Sequence, residues 1–171
     1  MLMDYTSILR CFRKSCHISA IALAVSAALA SSQVHAAVTT TVIAASGQDI
    51  TLTTGEQHTT DDRLVLSASN TGTIRGEDVL LSTTYRNSGR SVIAAYAGGQ
   101  VILKGATINH LNAMTGFDPD RTQAIQAYGL GSLVDISDSR IESFNYIAQL
   151  SDGATARFHN TEMIAHMHGL T

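Results

Sequence analysis

Asp135, Asp138 and Arg140 have the residue types and spacing closest to those of a catalytic site in this sequence. Two carboxylates beside a guanidinium can bind a cation or act as acid and base. An internal repeat described below, however, places Arg157 and Asn160 where a second copy of Asp135 and Asp138 would stand. Since Asp138 also suits a turn, solvated outer residues are the favoured interpretation.

Three histidines near the end of the sequence offer a weaker signal for a metal site. His166 and His168 would point to the same side of a strand, and His159 precedes them. Imidazole is a common metal ligand, but no third acidic or thiolate ligand stands directly beside His166 and His168 in sequence, so the signal is weak. We therefore assign no metal ligand here, and we predict no cofactor.

The remaining candidates have structural explanations. The G-x-S-x-G motif, which frames the serine nucleophile of many hydrolases, does not occur in the sequence. Gly131-Ser132 suits a turn of the repeat instead. Tyr96 and Tyr128 occupy matching repeat positions, where stacked rings can bind glycans but more often stabilise neighbouring strands. Arg75-Gly76-Glu77 is predicted to be a turn. The sequence thus identifies no catalytic residue, and whether the chain is an enzyme stays open.

Residues 1–36 have the layout of a cleavable signal peptide. Arg10, Arg13 and Lys14 precede an almost wholly apolar run over 18–29, and Val34-His35-Ala36 forms an A-x-A-like exit. That run is too short to span a bilayer, so a buried or anchoring helix is the less favoured alternative. We predict cleavage after Ala36, a partner in Sec-type export machinery, and a mature segment, 37–171, without a transmembrane segment.

The composition of residues 37–171 excludes two classes of protein. Cys11 and Cys16 both precede this segment, so it cannot be a disulfide scaffold. It contains 8 basic and 13 acidic residues, a net charge of −5, with Lys104 as its single lysine. Nucleic acid binding calls for clustered basic residues, so no nucleic acid partner is expected.

Short β-branched segments and an internal repeat organise the mature segment. Thr39–Val42 and Ile50–Thr53 are predicted strands. The repeat pairs residues 22 positions apart: Ile125 with Ile147, Gly131 with Gly153, Val134 with Ala156, Ile136 with Phe158, Asp138 with Asn160 and Ile141 with Met163. A looser copy lies 32 positions upstream, where Ile93–Tyr96 matches Ile125–Tyr128 and Gly99 matches Gly131. The spacing of Ile136, Asp138 and Ile141 occurs again at Leu103, Gly105 and Ile108. It occurs once more at Ile74, Gly76 and Val79.

A period near 22 residues predicts a right-handed parallel β-helix, in which each coil contributes three short strands. Matching residues would stack into interior columns, and the Gly105, Asp138 and Asn160 column would form a turn. The extra residues between His110 and Thr122, including Phe117-Asp118-Pro119-Asp120, are predicted to form a projecting loop. Because the sequence stops soon after the last matched position, we expect a truncated product or a fragment of a longer open reading frame; a cap formed by Ile164–Thr171 is the less favoured alternative.

The runs over 94–109 (AAYAGGQVILKGATIN) and 127–143 (AYGLGSLVDISDSRIES) resemble coils of pertactin-like autotransporter passengers. The resemblance covers roughly 50–171 and rests on composition and period. It implies a passenger β-helix that is exported through a C-terminal β-barrel of the outer membrane. Since no alternating, aromatic-girdled strands follow, the expectation is an N-terminal fragment that lacks the translocator barrel.

The resemblance implies a structural or adhesive protein whose loop, Asn109–Thr122, contacts a ligand on a host or neighbouring cell. The expected location is the periplasm for this chain and the cell surface for a full-length parent. A secreted carbohydrate-active enzyme, a polysaccharide lyase or hydrolase, is the alternative. Charged residues from three coils meeting on one face would favour the enzyme, whereas a bare face with protruding loops would favour the adhesin. A third possibility is a gene fragment that does not accumulate as a folded protein.

Overall fold

The computed structural model describes residues 41–83, 91–110 and 123–166, and the regular structure within these ranges is entirely β. Its strands, numbered in chain order, are β1 Ile43–Ser46, β2 Asp49–Thr51, β3 Gln57–Thr60, β4 Leu66–Ser69, β5 Thr73–Glu77, β6 Leu80–Thr83, β7 Ile93–Tyr96, β8 Gln100–Lys104, β9 Thr107–His110, β10 Gln123–Tyr128, β11 Leu133–Ser137, β12 Arg140–Ser143, β13 Tyr146–Ser151, β14 Thr155–His159 and β15 Glu162–Ala165. The predicted signal peptide and its cleavage site lie outside the described residues. Thr41 and Val42 precede β1, so the strand predicted there begins later than expected.

The strands form three parallel sheets that wind as a β-solenoid. Each coil contributes one strand to each sheet, in the orders β1-β4-β7-β10-β13 (first sheet), β2-β5-β8-β11-β14 (second sheet) and β3-β6-β9-β12-β15 (third sheet). The predicted all-β solenoid is therefore confirmed. Within the described ranges, no helix is long and apolar enough to cross a membrane.

The coils vary in length more than the sequence repeat predicted. In the first sheet the register joins Ile43 to Leu66, Leu66 to Ile93, Ile93 to Ile125 and Ile125 to Ala148, which are steps of 23, 27, 32 and 23 residues. The predicted 22-residue period holds only for the last step of the second and third sheets, as between Val134 and Ala156.

Leu130 explains why the expected match of Ile125 with Ile147 is wrong by one residue. The turn from Tyr128 to Leu133 is one residue longer than the equivalent turns of the neighbouring coils, which lack a counterpart of Leu130. The Leu130 side chain is 86% exposed, as expected of an inserted turn residue. The same insertion shifts the register partner of Gly99 from the predicted Gly131 to Ser132.

The three predicted interior columns are confirmed. They consist of Val101, Val134 and Ala156; of Leu103, Ile136 and Phe158; and of Ile108, Ile141 and Met163. In the fifth coil these positions become more exposed, and Met163 is 40% exposed. Among the described residues the buried part of the core is formed by stacked aliphatic side chains, and partly buried Phe158 of the fifth coil packs against it.

The sequence spacing matches Ile74 to Leu103 and Gly76 to Gly105, and both matches are wrong by two residues. Ile74 pairs with Val101 and Gly76 pairs with Leu103. Gly76 therefore faces the interior, where side-chain carbons of Leu103 and Leu52 lie 3.2 Å from the position of an added Cβ. Leucines of neighbouring coils thus fill the volume that Gly76 leaves.

The corner between the second and third sheets has the same length in the second to fifth coils. It consists of two residues, and the first of them is Asp78, Gly105, Asp138 or Asn160. All four have left-handed backbone conformations, with φ between 46° and 65°. Glycine, asparagine and aspartate tolerate this region best, which confirms the predicted turn column. A hydrogen bond of 2.8 Å from Asn160 Nδ2 to Asp138 Oδ1 joins two of these turns.

The corner between the third and first sheets, which we call the variable corner, differs from coil to coil. Its connections are residues 61–65, 84–92, 111–122 and 144–145. Asn109 and His110, assigned by sequence to the projecting loop, belong to β9, while the other residues of that loop lie outside the described ranges. The strands before and after the insertion keep the same register across coils.

Candidate functional site

The candidate acid and base residues do not converge. Asp135 points outward from the second sheet, with an oxygen 3.9 Å from Arg157 Nη1. Asp138 occupies the turn and accepts a hydrogen bond from Asn160. Arg140 lies beyond the corner, in the third sheet. The structure thus supports the interpretation of these residues as outer and turn residues rather than one site.

Arg140 instead belongs to an ion-pair network on the third sheet. Its guanidinium lies 2.7 Å from a carboxylate oxygen of Glu162 and 2.9 Å from one of Glu142. The hydrogen bond from Arg140 lowers the pKa of Glu142, and His166, whose Nε2 lies 3.1 Å from Glu142, lowers it further. The pKa of Arg140 is raised, chiefly by the same hydrogen bond with Glu142. The network connects neighbouring coils through half-buried Glu142 and the exposed side chains of Arg140, Glu162 and His166.

The candidate histidine cluster is divided in the same way. His166 contacts Glu142 near the end of the third sheet, and His159 is exposed on the second sheet. His168 lies outside the described residues. Across the described part of the chain, no group of three or more histidine, cysteine, aspartate or glutamate residues is arranged to hold a metal ion.

Arg75-Gly76-Glu77 is not a turn, contrary to the sequence prediction, but part of strand β5. Its alternation places Gly76 in the interior and directs Arg75 and Glu77 outward. Short local motifs rich in Gly and charge resemble turns, and only the register with β8 reveals that this one is a strand.

Arg75 and Glu77 line an open groove of about 400 Å³ on the outer face of the second sheet. We call it the outer groove; its outward side chains are Arg75, Glu77, Ile102, Lys104, Asp135 and Ser137. They form two rows across three coils, because Arg75, Ile102 and Asp135 stand in register, as do Glu77, Lys104 and Ser137. Sequence reasoning missed this site, because it assigned Arg75 and Glu77 to a turn.

The outer groove contains charges of both signs that have few protein partners. Among the described residues, neither Arg75, Glu77 nor Lys104 forms an ion pair, and Asp135 has only the 3.9 Å contact with Arg157. Half-buried Ile102 provides an apolar patch between these charges. A site with free donors and acceptors around an apolar surface is suited to a polar organic ligand.

The two tyrosines of the repeat form a ladder. The rings of Tyr96 and Tyr128 stack with centroids 5.4 Å apart and planes inclined by 7°. The Tyr96 hydroxyl accepts a hydrogen bond of 3.3 Å from Ser67. In the adjacent turn, the Ser132 hydroxyl donates to the carbonyl of Tyr128 and accepts from the amide of Gly98. These contacts stabilise coil stacking, and Ser132 has the expected turn role.

Buried polar side chains line the interior of the variable corner, which sequence reasoning did not predict. Thr60, Thr83, His110 and Ser143 follow one another in register at the end of the third sheet, and all are at most 3% exposed. Nearby, buried Gln123 donates a hydrogen bond of 3.1 Å to Ser91. Burial lowers the pKa of His110 to about 4, and a backbone hydrogen bond opposes the shift, so this imidazole is neutral at physiological pH.

These features define a parallel β-solenoid with one variable corner and a charged outer groove. No family model matches the chain, and no curated protein or solved structure matches it significantly.

Proposed function

We propose that this chain is the solenoid part of an exported bacterial surface protein, of the autotransporter passenger type, that presents loops to a ligand on a host or neighbouring cell. The observation that carries the proposal is the variable corner. The length of the connection varies most from coil to coil at this corner, from two residues (144–145) to twelve (111–122). A scaffold that accommodates long and short loops along one edge is suited to presentation.

The packing around the insertion supports this function. Leu103 and Ile136 remain in register although residues 111–122 are inserted between their coils. A loop of this length can therefore change without disturbing the stack. The buried hydrogen bond between Gln123 and Ser91 joins neighbouring coils at the point where the chain re-enters the first sheet, and so supports the base of the loop.

A loop replacement tests presentation. Residues 111–122 are replaced by Phe-Asn, the connection that Phe144 and Asn145 make in the next coil. We expect the replaced protein to keep its circular dichroism spectrum and to lose adhesion to epithelial and bacterial cells. The matched control deletes Leu130, an inserted residue of another corner, and should retain adhesion. Adhesion that persists after the loop is replaced would refute presentation by this loop.

Export and origin have separate tests. Expression in a Gram-negative host should give a product whose N-terminal residue is Ala37, located outside the cytoplasm. A cytoplasmic product with an intact N-terminus would contradict export. DNA downstream of the Thr171 codon should encode further coils and a terminal translocator barrel if the chain derives from an autotransporter, and unrelated sequence would contradict that origin.

The outer groove favours a second candidate, a secreted carbohydrate-active enzyme. Charged residues from three consecutive coils meet there, namely Arg75, Glu77, Lys104 and Asp135. A carboxylate and a basic group at one saccharide are the components of acid and base chemistry. Release of unsaturated or reducing ends from polysaccharides, abolished in Glu77→Gln or Asp135→Asn, would support an enzyme. Absence of products from a folded protein would favour the adhesive function.

A further inference from the structure

We propose that the outer groove binds an oligosaccharide that carries carboxylate groups, such as a chain of uronic acids. The inference does not depend on loop presentation, because the groove lies on the second sheet and the variable corner joins the third sheet to the first. It rests on the groove's residue types, on their register across three coils, and on their few ion pairs with other described residues.

The two cations of the groove offer contacts to the anionic groups of a ligand. Arg75 and Lys104 lie on strands β5 and β8 of adjacent coils, one in each row of the groove. A guanidinium can donate two parallel hydrogen bonds to a carboxylate, and an ammonium adds a mobile charge beside it. Neither cation is neutralised by an ion pair within the described ranges, so both can contact a ligand.

The two carboxylates of the groove restrict the ligand further. Glu77 and Asp135 balance the two cations, so a compact anion such as phosphate or sulfate gains no net attraction in the groove. They accept hydrogen bonds, so they favour a ligand that also carries hydroxyl donors. A sugar acid combines carboxylate and hydroxyl groups, and Ile102 offers an apolar contact for the C–H face of its ring.

The register determines how such a ligand would lie. Arg75, Ile102 and Asp135 succeed one another from coil to coil, so the groove extends along the solenoid axis. Neighbouring coils are separated by the strand spacing of about 4.8 Å. An extended chain of sugars placed along this direction meets Arg75 and Glu77 in one coil, Ile102 and Lys104 in the next, and Asp135 in the third. Binding should weaken with salt, because the charges are exposed or half-buried.

The test is calorimetric titration of the purified chain with short oligosaccharides of galacturonate and of mannuronate. The methyl esters of the same compounds serve as matched ligands without charge. We expect binding of at least one acid form and weakening of about tenfold or more for its ester, for Arg75→Gln and for Lys104→Gln. Arg63→Gln removes the same charge from an exposed position outside the groove, and it should bind as the unchanged protein does.

Three results would overturn the proposal: no heat with either acid, equal affinity for acid and ester, or full affinity in both groove variants. Circular dichroism of each variant shows whether it is folded. The protein in which Phe-Asn replaces 111–122 should keep its affinity for the oligosaccharide. A failure of loop presentation and a failure of oligosaccharide binding are thus distinguished. The loop replacement leaves the groove intact, and the groove variants leave the loop intact.

Discussion

Replacing Leu103 with alanine should destabilise the solenoid more than a typical core truncation does. Leu103 is 2% exposed and lies between Gly76 and Ile136 in one interior column. Leucine-to-alanine changes in protein cores cost about 2 to 5 kcal/mol, depending on how far the site can collapse. Because Gly76 has no side chain that could move into the new cavity, we expect a loss of about 4 kcal/mol, in the upper half of that range.

Urea denaturation, followed by far-ultraviolet circular dichroism and by tyrosine fluorescence, measures this loss. Tyr96 lies in the same coil as Leu103, and Tyr128 stacks on it from the following coil, so both report on the region of the substitution. Ile102→Ala is the matched control, because Ile102 is the preceding residue of the same strand and points outward. It should cost less than about 1 kcal/mol. Equal losses in the two variants, or a loss below about 1 kcal/mol for Leu103→Ala, would refute the assignment of Leu103 to the interior.

Three further changes probe other parts of the fold. Gly105→Ala places a side chain at positive φ and against the Asp78 carboxylate, so thermal unfolding should show a loss of about 1 to 2 kcal/mol; an unchanged midpoint would contradict the turn assignment. Tyr128→Ser removes the stack with Tyr96 and should cost about 1 kcal/mol by urea titration, whereas Tyr146→Ser, outside the stack, offers a comparison. Burial lowers the pKa of His110 from 6.5 to about 4, so the unfolded state binds the proton more readily than the folded state does. The free energy of unfolding therefore contains about 3 kcal/mol above pH 6.5 that is lost as the pH falls toward 4. Urea titrations across this range should give a flatter pH profile for His110→Thr, and an identical profile would disprove the assignment.

The sequence predicted those parts of the fold that repeat. Val134, Ile136 and Ile141 recur with apolar partners at a constant interval because stacked coils must fill the same interior positions. The turn at Asp138 was predictable for the same reason, since few residue types accept positive φ. The long connection after β9 was also predictable in position, because matching residues on its two sides are farther apart in sequence than those of the two following coils.

The features that the sequence did not predict depend on register between coils. Leu130 shifts one sheet relative to the next by a single residue, and a chain-wide period cannot detect that shift. Gly76 was predicted to lie in a turn because glycine is common in turns. The register shows instead that it occupies an interior strand position, where Leu103 stands in the next coil. The outer groove combines residues far apart in sequence, such as Glu77 and Asp135, whose proximity follows only from coil alignment.

The stacking of coils through parallel strands also has a mechanical consequence. Hydrogen bonds between coils run along the solenoid axis, so a force applied along that axis opens them one strand at a time rather than shearing them together. Each released coil of 22 residues would lengthen the chain by roughly 70 Å, and a coil that includes 111–122 would release more. Single-molecule extension should therefore show unequal steps, whose lengths record the order in which the coils open.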